Sequence, residues 1–131
     1  MLDKYPKEVK LVFKNFPLPG HRYAREAATA ALAAHAQGKF WTFHHKLFEN
    51  YKTLNNFKIR EIAKAVGLDM NRFTEDLKDQ TIKTLVIRDV VDGRQMNIRR
   101  VPTVFVNGKI LDNRTFQVFQ EMIAAELKKK Q

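Results

Sequence analysis

The stretch that decides the fold is RVPTVFVNGKIL, which occupies residues 100–111. Val101 to Val106 is rich in β-branched and aromatic residues, a composition typical of a strand. The pair Asn107-Gly108 follows at once, and it is a preferred two-residue turn between antiparallel strands. Residues 109–111 are therefore predicted to be the return strand of a hairpin.

Helical patterns lie on both sides of this hairpin. The helix predicted after it, residues 115–129, has four apolar residues at helical spacing: Phe116, Phe119, Ile123 and Leu127. The helix predicted before it, residues 80–97, has one stripe formed by Ile82, Val86, Val90 and Gly93. Because glycine inside a helix costs about 1 kcal/mol relative to alanine, a close packing contact is expected at Gly93.

The region before the long helix, about residues 21–78, is predicted to be a block of four helices. The first, residues 21–37, is rich in alanine, the best helix former, and Gly38 is its predicted stop. The second covers residues 39–51. Asn55 or Asn56 is expected to cap the third, and Asp69 is expected to open the fourth.

A short apolar run, Val9 to Phe13, precedes the helical block. Turn-forming residues flank it, which is typical of a strand buried on both faces. The order of elements therefore predicts an α/β fold with a small mixed sheet and a large helical insertion at about 21–78. Since the 131 residues contain no linker or repeat, a single domain over residues 1–131 is expected.

The composition excludes several classes of site. The chain has no cysteine, so it holds no disulfide, thiolate metal site or cysteine nucleophile, and it has no serine for a Ser-His-Asp triad. No apolar run is long enough to span a membrane, and the first residues lack the apolar region of a signal peptide. The formal charge of +10 favours loose association with polyanions. Without a nucleic-acid-binding motif, nucleic acid is not the predicted partner.

Other candidate residues leave alternatives open. The four histidines are not spaced as metal ligands, so no metal or other cofactor is predicted. The aromatic residues of the second helix either line a peptide groove or fill the core, and the core is favoured: Phe40, Trp41, Phe43 and Phe48. Four single carboxylates are interpreted as surface partners of basic residues rather than as acid–base catalysts: Glu26, Glu49, Glu61 and Asp89.

Three segments in this order resemble the DsbA-like branch of the thioredoxin superfamily. They are residues 4–21, the alanine-rich helix with residues 37–48 (QGKFWTFHHKLF), and residues 100–108 (RVPTVFVNG). The resemblance implies a thioredoxin-like fold and a cis peptide bond before Pro102. It also implies a loop whose backbone pairs with an extended polypeptide substrate, and the candidate substrate-binding residues are Arg100, Val101, Pro102 and Thr103. The alternative is that Pro102 merely begins a strand.

The chain departs from this family at its front. The resemblance implies a central strand and a helix start with a Cys-x-x-Cys pair, and neither has a counterpart here. The chain alone is therefore expected to be inactive in disulfide exchange. The missing strand would lie in the family between residues 9–13 and 103–106, and the gap would be filled by closure, by a second copy or by an unseen N-terminal segment. A homodimer is favoured, because an exposed sheet edge invites pairing with another chain.

Two functions fit these observations best, and polyanion binding driven by the positive charge is a weaker third. The first is a portion of a DsbA-like thiol–disulfide oxidoreductase that forms or exchanges disulfides in protein substrates. The second is a cysteine-free binding module that uses the Pro102 loop and its basic surface to hold a protein partner. The family is often periplasmic or extracytoplasmic, but the sequence does not assign a compartment.

Overall fold

The computed structural model describes residues 4–18, 21–99, 101–111 and 115–129. The chain divides into two compact units. One, the helical unit, is Asn15–Asn97, and the other, the hairpin unit, combines Met1–Lys14 with Ile98–Gln131.

The helical unit contains five α-helices among its described residues: α1 (Ala24–Ala36), α2 (Phe40–Glu49), α3 (Asn56–Ala65), α4 (Met70–Leu77) and α5 (Gln80–Gln95). A short 3-10 turn, Tyr51–Thr53, follows α2. The predicted helical block and long helix are confirmed, with ends that differ by a few residues. The described part of the chain therefore has the large helical insertion that the sequence predicted.

Side-chain caps explain where three of these helices begin. Asn55 Oδ1 accepts a hydrogen bond from the Lys58 backbone N–H at 2.7 Å, so Asn55 and not Asn56 is the cap of α3. Asp69 caps α4 through two backbone N–H groups, and Asp79 caps α5. Each cap satisfies backbone donors that have no partner within the first helical turn.

The core of the helical unit surrounds α1. Four of its alanines are at most 3% exposed: Ala30, Ala31, Ala33 and Ala34. Their small side chains allow α1 to pack against α2, α3, α4 and α5. Phe43 of α2 and Phe73 of α4 are completely buried, and their ring centroids lie 6.0 Å apart.

The segment that precedes α1 is fixed against α5. Phe16 lies on Gly93, where an added Cβ would stand 2.7 Å from Phe16 Cε1. This confirms the close contact expected at Gly93. The Asn15 backbone N–H and its side-chain amide both donate to Asp89 Oδ2, at 2.9 and 3.1 Å. Asp89 thus accepts two hydrogen bonds from a buried asparagine.

The hairpin unit contains β1 (Phe105–Val106), β2 (Lys109–Ile110) and α6 (Phe116–Lys129). The strands are antiparallel, with Phe105 opposite Ile110 and Val106 opposite Lys109. The Leu111 N–H donates to the Val104 carbonyl at 2.8 Å and continues the pairing by one step. The hairpin and the final helix are therefore confirmed.

Two strand predictions need correction. Val9 to Phe13 is not a strand, and the strand predicted from Val101 begins at Phe105. A buried strand needs neighbours on both sides, whereas the sheet in the described residues consists of β1 and β2 alone. Leu11 and Val12 are accordingly 56% and 60% exposed.

Candidate functional site

The first candidate site is the loop that enters the hairpin. The Val101–Pro102 peptide bond is cis, in agreement with the isomer that the resemblance implies. Val101 and Pro102 are exposed, and Thr103 is half-buried. Arg100, the fourth candidate residue, lies outside the described residues. Val101 and Pro102 thus lie at the surface, at the position where the resemblance predicts that a polypeptide substrate binds.

The hairpin behind this loop has a well-defined turn. Asn107 and Gly108 have φ values of 47° and 82°. Two successive positive φ values are the requirement of the type I′ turn, whose twist matches that of antiparallel strands. Glycine has no Cβ to oppose this conformation and asparagine tolerates it better than most residues. The two-residue turn predicted at Asn107-Gly108 is therefore confirmed.

A carboxylate on α6 anchors the same hairpin. Lys109 Nζ lies 3.0 Å from Glu126 Oε1, and the Glu126 side chain is 16% exposed. The hydrogen bond from Lys109 is the main reason why the pKa of Glu126 lies below its ordinary value. Asn107 Nδ2 and Lys129 Nζ also approach this carboxylate, both at 3.5 Å. Sequence reasoning missed Glu126 because its partner on the hairpin is far away along the chain.

A second candidate surface lies in the helical unit, along α2. We define the aromatic face as Phe40, Trp41, His44 and Phe48. The His44 ring lies 5.4 Å from the Phe40 ring, 5.4 Å from the Trp41 ring and 4.8 Å from the Phe48 ring, measured between centroids. Trp41, His44 and Phe48 follow the i, i+3, i+7 spacing that places side chains on one side of a helix.

The aromatic face is only partly covered. Trp41 is 45% exposed and Phe48 is 65% exposed, whereas Phe43 on the opposite side of α2 is buried. The prediction of core packing is therefore right for Phe43 and in part for Phe40, which is half-buried against the core, and wrong for Trp41 and Phe48. Partial burial among the rings, followed by the nearby charge of His45, lowers the pKa of His44. Its imidazole is consequently neutral over more of the pH range than that of an ordinary histidine.

The part of the chain that the structure describes has neither a metal-binding cluster nor a membrane-spanning helix. Among residues 4–18, 21–99, 101–111 and 115–129, no three His, Asp or Glu side chains converge to hold a metal ion. No helix within those ranges has the length and apolar character needed to cross a bilayer.

Comparison with known proteins gives consistent matches. The family model described as thioredoxin matches residues 1–125. The probable disulfide bond formation protein D of Bacillus cereus is 31% identical over an alignment that covers 93% of this chain and 60% of that protein. The crystal structure of a thioredoxin-like oxidoreductase from Silicibacter pomeroyi DSS-3 superposes with a TM-score of 0.73 at 24% identity. The superposition covers 91% of this chain and 68% of the chain in that crystal structure. At 24% identity this likeness supports the fold alone.

Longer proteins also contain a similar segment. The Na(+)/H(+) antiporter NhaA 1 of Mycolicibacterium vanbaalenii is 38% identical over 74% of this chain. The Na(+)/H(+) antiporter NhaA 3 of Salinispora tropica is 35% identical over 77% of it. In both cases the match spans only 16% of the antiporter's length. The family match extends over nearly all of this chain and agrees with its fold, and we conclude that the chain belongs to the thioredoxin family and is a DsbA-like member of it.

Proposed function

We propose that this chain is the polypeptide-binding portion of a DsbA-like thiol–disulfide oxidoreductase. In this proposal residues 1–131 act as one domain, and residues 100–103 hold an extended segment of a protein substrate. The observation that carries the proposal is the exposure of Val101 and Pro102 beside a hairpin that Glu126 anchors. The similarity to a disulfide bond formation protein supports it.

The thiol chemistry itself requires cysteines that these 131 residues do not contain. Disulfide exchange proceeds by attack of a thiolate on a disulfide sulfur, so the chain by itself is proposed to be redox-inactive. Oxidative refolding of a reduced protein in the presence of the chain tests this point. The expected rate equals that of the buffer control, and an acceleration by the chain alone contradicts the proposal. Antiport is not proposed, since the match covers so little of each antiporter.

Binding to the loop is tested with a fluorescent, cysteine-free, extended peptide. Pro102→Ala frees a backbone that proline holds near φ −65°, and the extra ordering is expected to weaken binding roughly 2- to 5-fold. The matched control is Pro6→Ala, because Pro6 is also an exposed proline of the hairpin unit. Equal affinities for wild type and Pro102→Ala, or an equal loss in Pro6→Ala, argue against the loop as the binding site.

The alternative is a cysteine-free binding module that uses the same loop and its basic surface to hold a protein partner. Both functions predict peptide binding, so the distinguishing observation is genetic. A strand pattern and a Cys-x-x-Cys pair in frame upstream of the Met1 codon support the oxidoreductase. A stop codon shortly before Met1 supports the binding module.

We further propose that a second copy of the chain pairs with the segment at residues 9–13. The supporting observation is that Leu11, Val12 and Phe13 are 56%, 60% and 42% exposed, which is unusual for a continuous apolar run. Light scattering coupled to size-exclusion chromatography is expected to show a dimer that Val12→Lys dissociates. Ile87→Lys, at a similarly exposed site of α5, is expected to leave the dimer intact. A monomer at every accessible concentration argues against self-association.

A further inference from the structure

We infer that the aromatic face of α2 is a docking surface for the headgroup region of an anionic lipid bilayer. The proposed function uses the loop of the hairpin unit and makes no use of this face. The inference rests on three observations: the exposure of large aromatic side chains, the sign of the surrounding charge, and the kind of basic residue that carries it.

The exposed aromatic side chains continue past the end of α2. Trp41 and Phe48 are followed by Tyr51, which is 64% exposed at the start of the 3-10 turn. Exposed apolar residues scattered singly are ordinary, whereas a row of them marks an interaction site. Trp and Tyr are the residues enriched where one end of a ring meets hydrocarbon and the other meets water.

The charge of this region is complementary to an anionic surface. Residues 39–58 contain four lysines and a single glutamate, so their formal charge is +3. Lys46 lies 3.3 Å from that glutamate, Glu49. Lys52 reaches over the Tyr51 ring, with Nζ 5.7 Å from its centroid. α2 itself contains one lysine, and the rest of the charge comes from residues before and after it; Lys39 Nζ donates to the Val66 and Gly67 carbonyls, and Lys58 lies 3.7 Å from Glu61. Exposed Trp and Phe side chains with lysines nearby are typical of segments that lie in a membrane interface.

The basic residues also favour lipid over a protein partner. All four are lysines, and the next basic residue, Arg60, bonds within the helical unit, where its Nη1 donates to Thr74 Oγ1 at 3.0 Å. Protein–protein interfaces are enriched in arginine and depleted in lysine, while lysine stems extend along apolar surface and keep their charge in water. Nonspecific binding of single-stranded nucleic acid relies on a positively charged groove, whereas the aromatic face is one side of a single helix.

His44 gives this face a further property. Its imidazole lies among the rings of Phe40, Trp41 and Phe48. A neutral imidazole allows the rings around it to enter the lipid interface without the cost of burying a charge. The titratable and charged groups nearest to it along α2 are His45, Lys46 and Glu49, and His45 adds positive charge beside it when protonated.

The test uses the only tryptophan of the chain, Trp41, as a probe. Vesicles of phosphatidylcholine with phosphatidylglycerol are expected to shift its emission to shorter wavelength, and brominated lipid is expected to quench it. Vesicles of phosphatidylcholine alone, or high salt, are expected to weaken both effects because the electrostatic contribution is lost. An unshifted emission in the presence of anionic vesicles overturns the inference.

Variants locate the contact by co-sedimentation with the same vesicles. Trp41→Ala/Phe48→Ala is expected to reduce binding roughly tenfold or more, from the loss of two large apolar side chains. The control is Ile87→Ala/Val91→Ala on α5, where the two side chains are 49% and 44% exposed, and binding is expected to be unchanged. An equal loss in both variants overturns the inference, and so does binding to an oligonucleotide in preference to the vesicles.

The quenching measurement uses the wild-type chain, so it decides the question even if the double variant does not fold. Pro102→Ala is expected to leave vesicle binding unchanged, because the loop belongs to the hairpin unit. Failure of the lipid inference therefore leaves the proposed peptide-binding function untouched, and the reverse also holds.

Discussion

Replacing Gly93 by alanine is expected to have two opposite effects on the free energy of unfolding. Alanine stabilises a helix interior by about 1 kcal/mol relative to glycine. In this chain the new Cβ would lie 2.7 Å from Cε1 and 2.8 Å from Cδ1 of Phe16. Carbon atoms in favourable contact are about 3.5–4.0 Å apart, so the phenyl ring must move by close to an ångström.

The steric effect is expected to exceed the gain in helix propensity. Extra carbon atoms in a packed site typically cost about 1–3 kcal/mol. After subtraction of about 1 kcal/mol for propensity, Gly93→Ala should lower the free energy of unfolding by roughly 0–2 kcal/mol. The same change in a Phe16→Ala background meets no ring, so it should raise the free energy of unfolding by about 1 kcal/mol.

The assay is urea unfolding of four proteins, the wild type, the two single variants and the double variant, followed by far-UV circular dichroism. The two effects of Gly93→Ala should differ by about 1–3 kcal/mol, which is the coupling between the two positions. An equal stabilisation by Gly93→Ala in both backgrounds refutes the reasoning. In that case the Phe16 ring moves aside with no loss of stability, and packing does not require glycine at position 93.

Three further predictions concern single contacts of the helical unit. Asp89→Ala removes the acceptor of two Asn15 donors and should lower the free energy of unfolding in urea by about 1–3 kcal/mol; Asp89→Asn, which keeps an oxygen, should cost less, and equal costs contradict the hydrogen-bond account. Asp69→Ala removes the cap of α4 and should lower the free energy of unfolding in urea by about 1 kcal/mol. An unchanged free energy of unfolding would mean that water replaces the cap at no cost. The His44 pKa, measured by NMR titration, should lie below the ordinary value of about 6.5. The unfolded chain then binds the proton more readily, so stability should fall as the pH drops below about 6.5, and His44→Gln should reduce that fall.

Local patterns allowed much of the helical unit to be predicted from sequence. The alanine-rich run became α1 because alanine both favours the helix and lets four helices approach it. The sequence predicts a cap at Asn55 or Asn56 and a helix start at Asp69, since short polar side chains bind the first free N–H groups; the structure has Asn55 and Asp69 as the caps. The contact at Gly93 followed from the cost of placing glycine in a helix.

The strand that was wrongly predicted at residues 9–13 shows where local patterns fail. An apolar run indicates that a segment favours burial. Whether the segment forms a strand depends on neighbouring strands, which lie elsewhere in the chain or outside it. Trp41 and Phe48 were assigned to the core for a similar reason, because helical spacing identifies a shared side without telling whether another element covers it. Glu126 was missed because a single carboxylate in a helix gives no sign of its partner, Lys109, which lies on a hairpin many residues earlier in the chain.

The alanine-rich helix at the centre of the helical unit also sets limits on how this protein can evolve. Ala30, Ala33 and Ala34 have no exposed area, and neighbouring helices occupy several sides of α1. Larger residues at these positions would displace whole helices, so they should be rare among tolerated variants. New specificity can therefore arise mainly on the outward sides of α2 and α5, where side chains can change in size and charge without altering the fold.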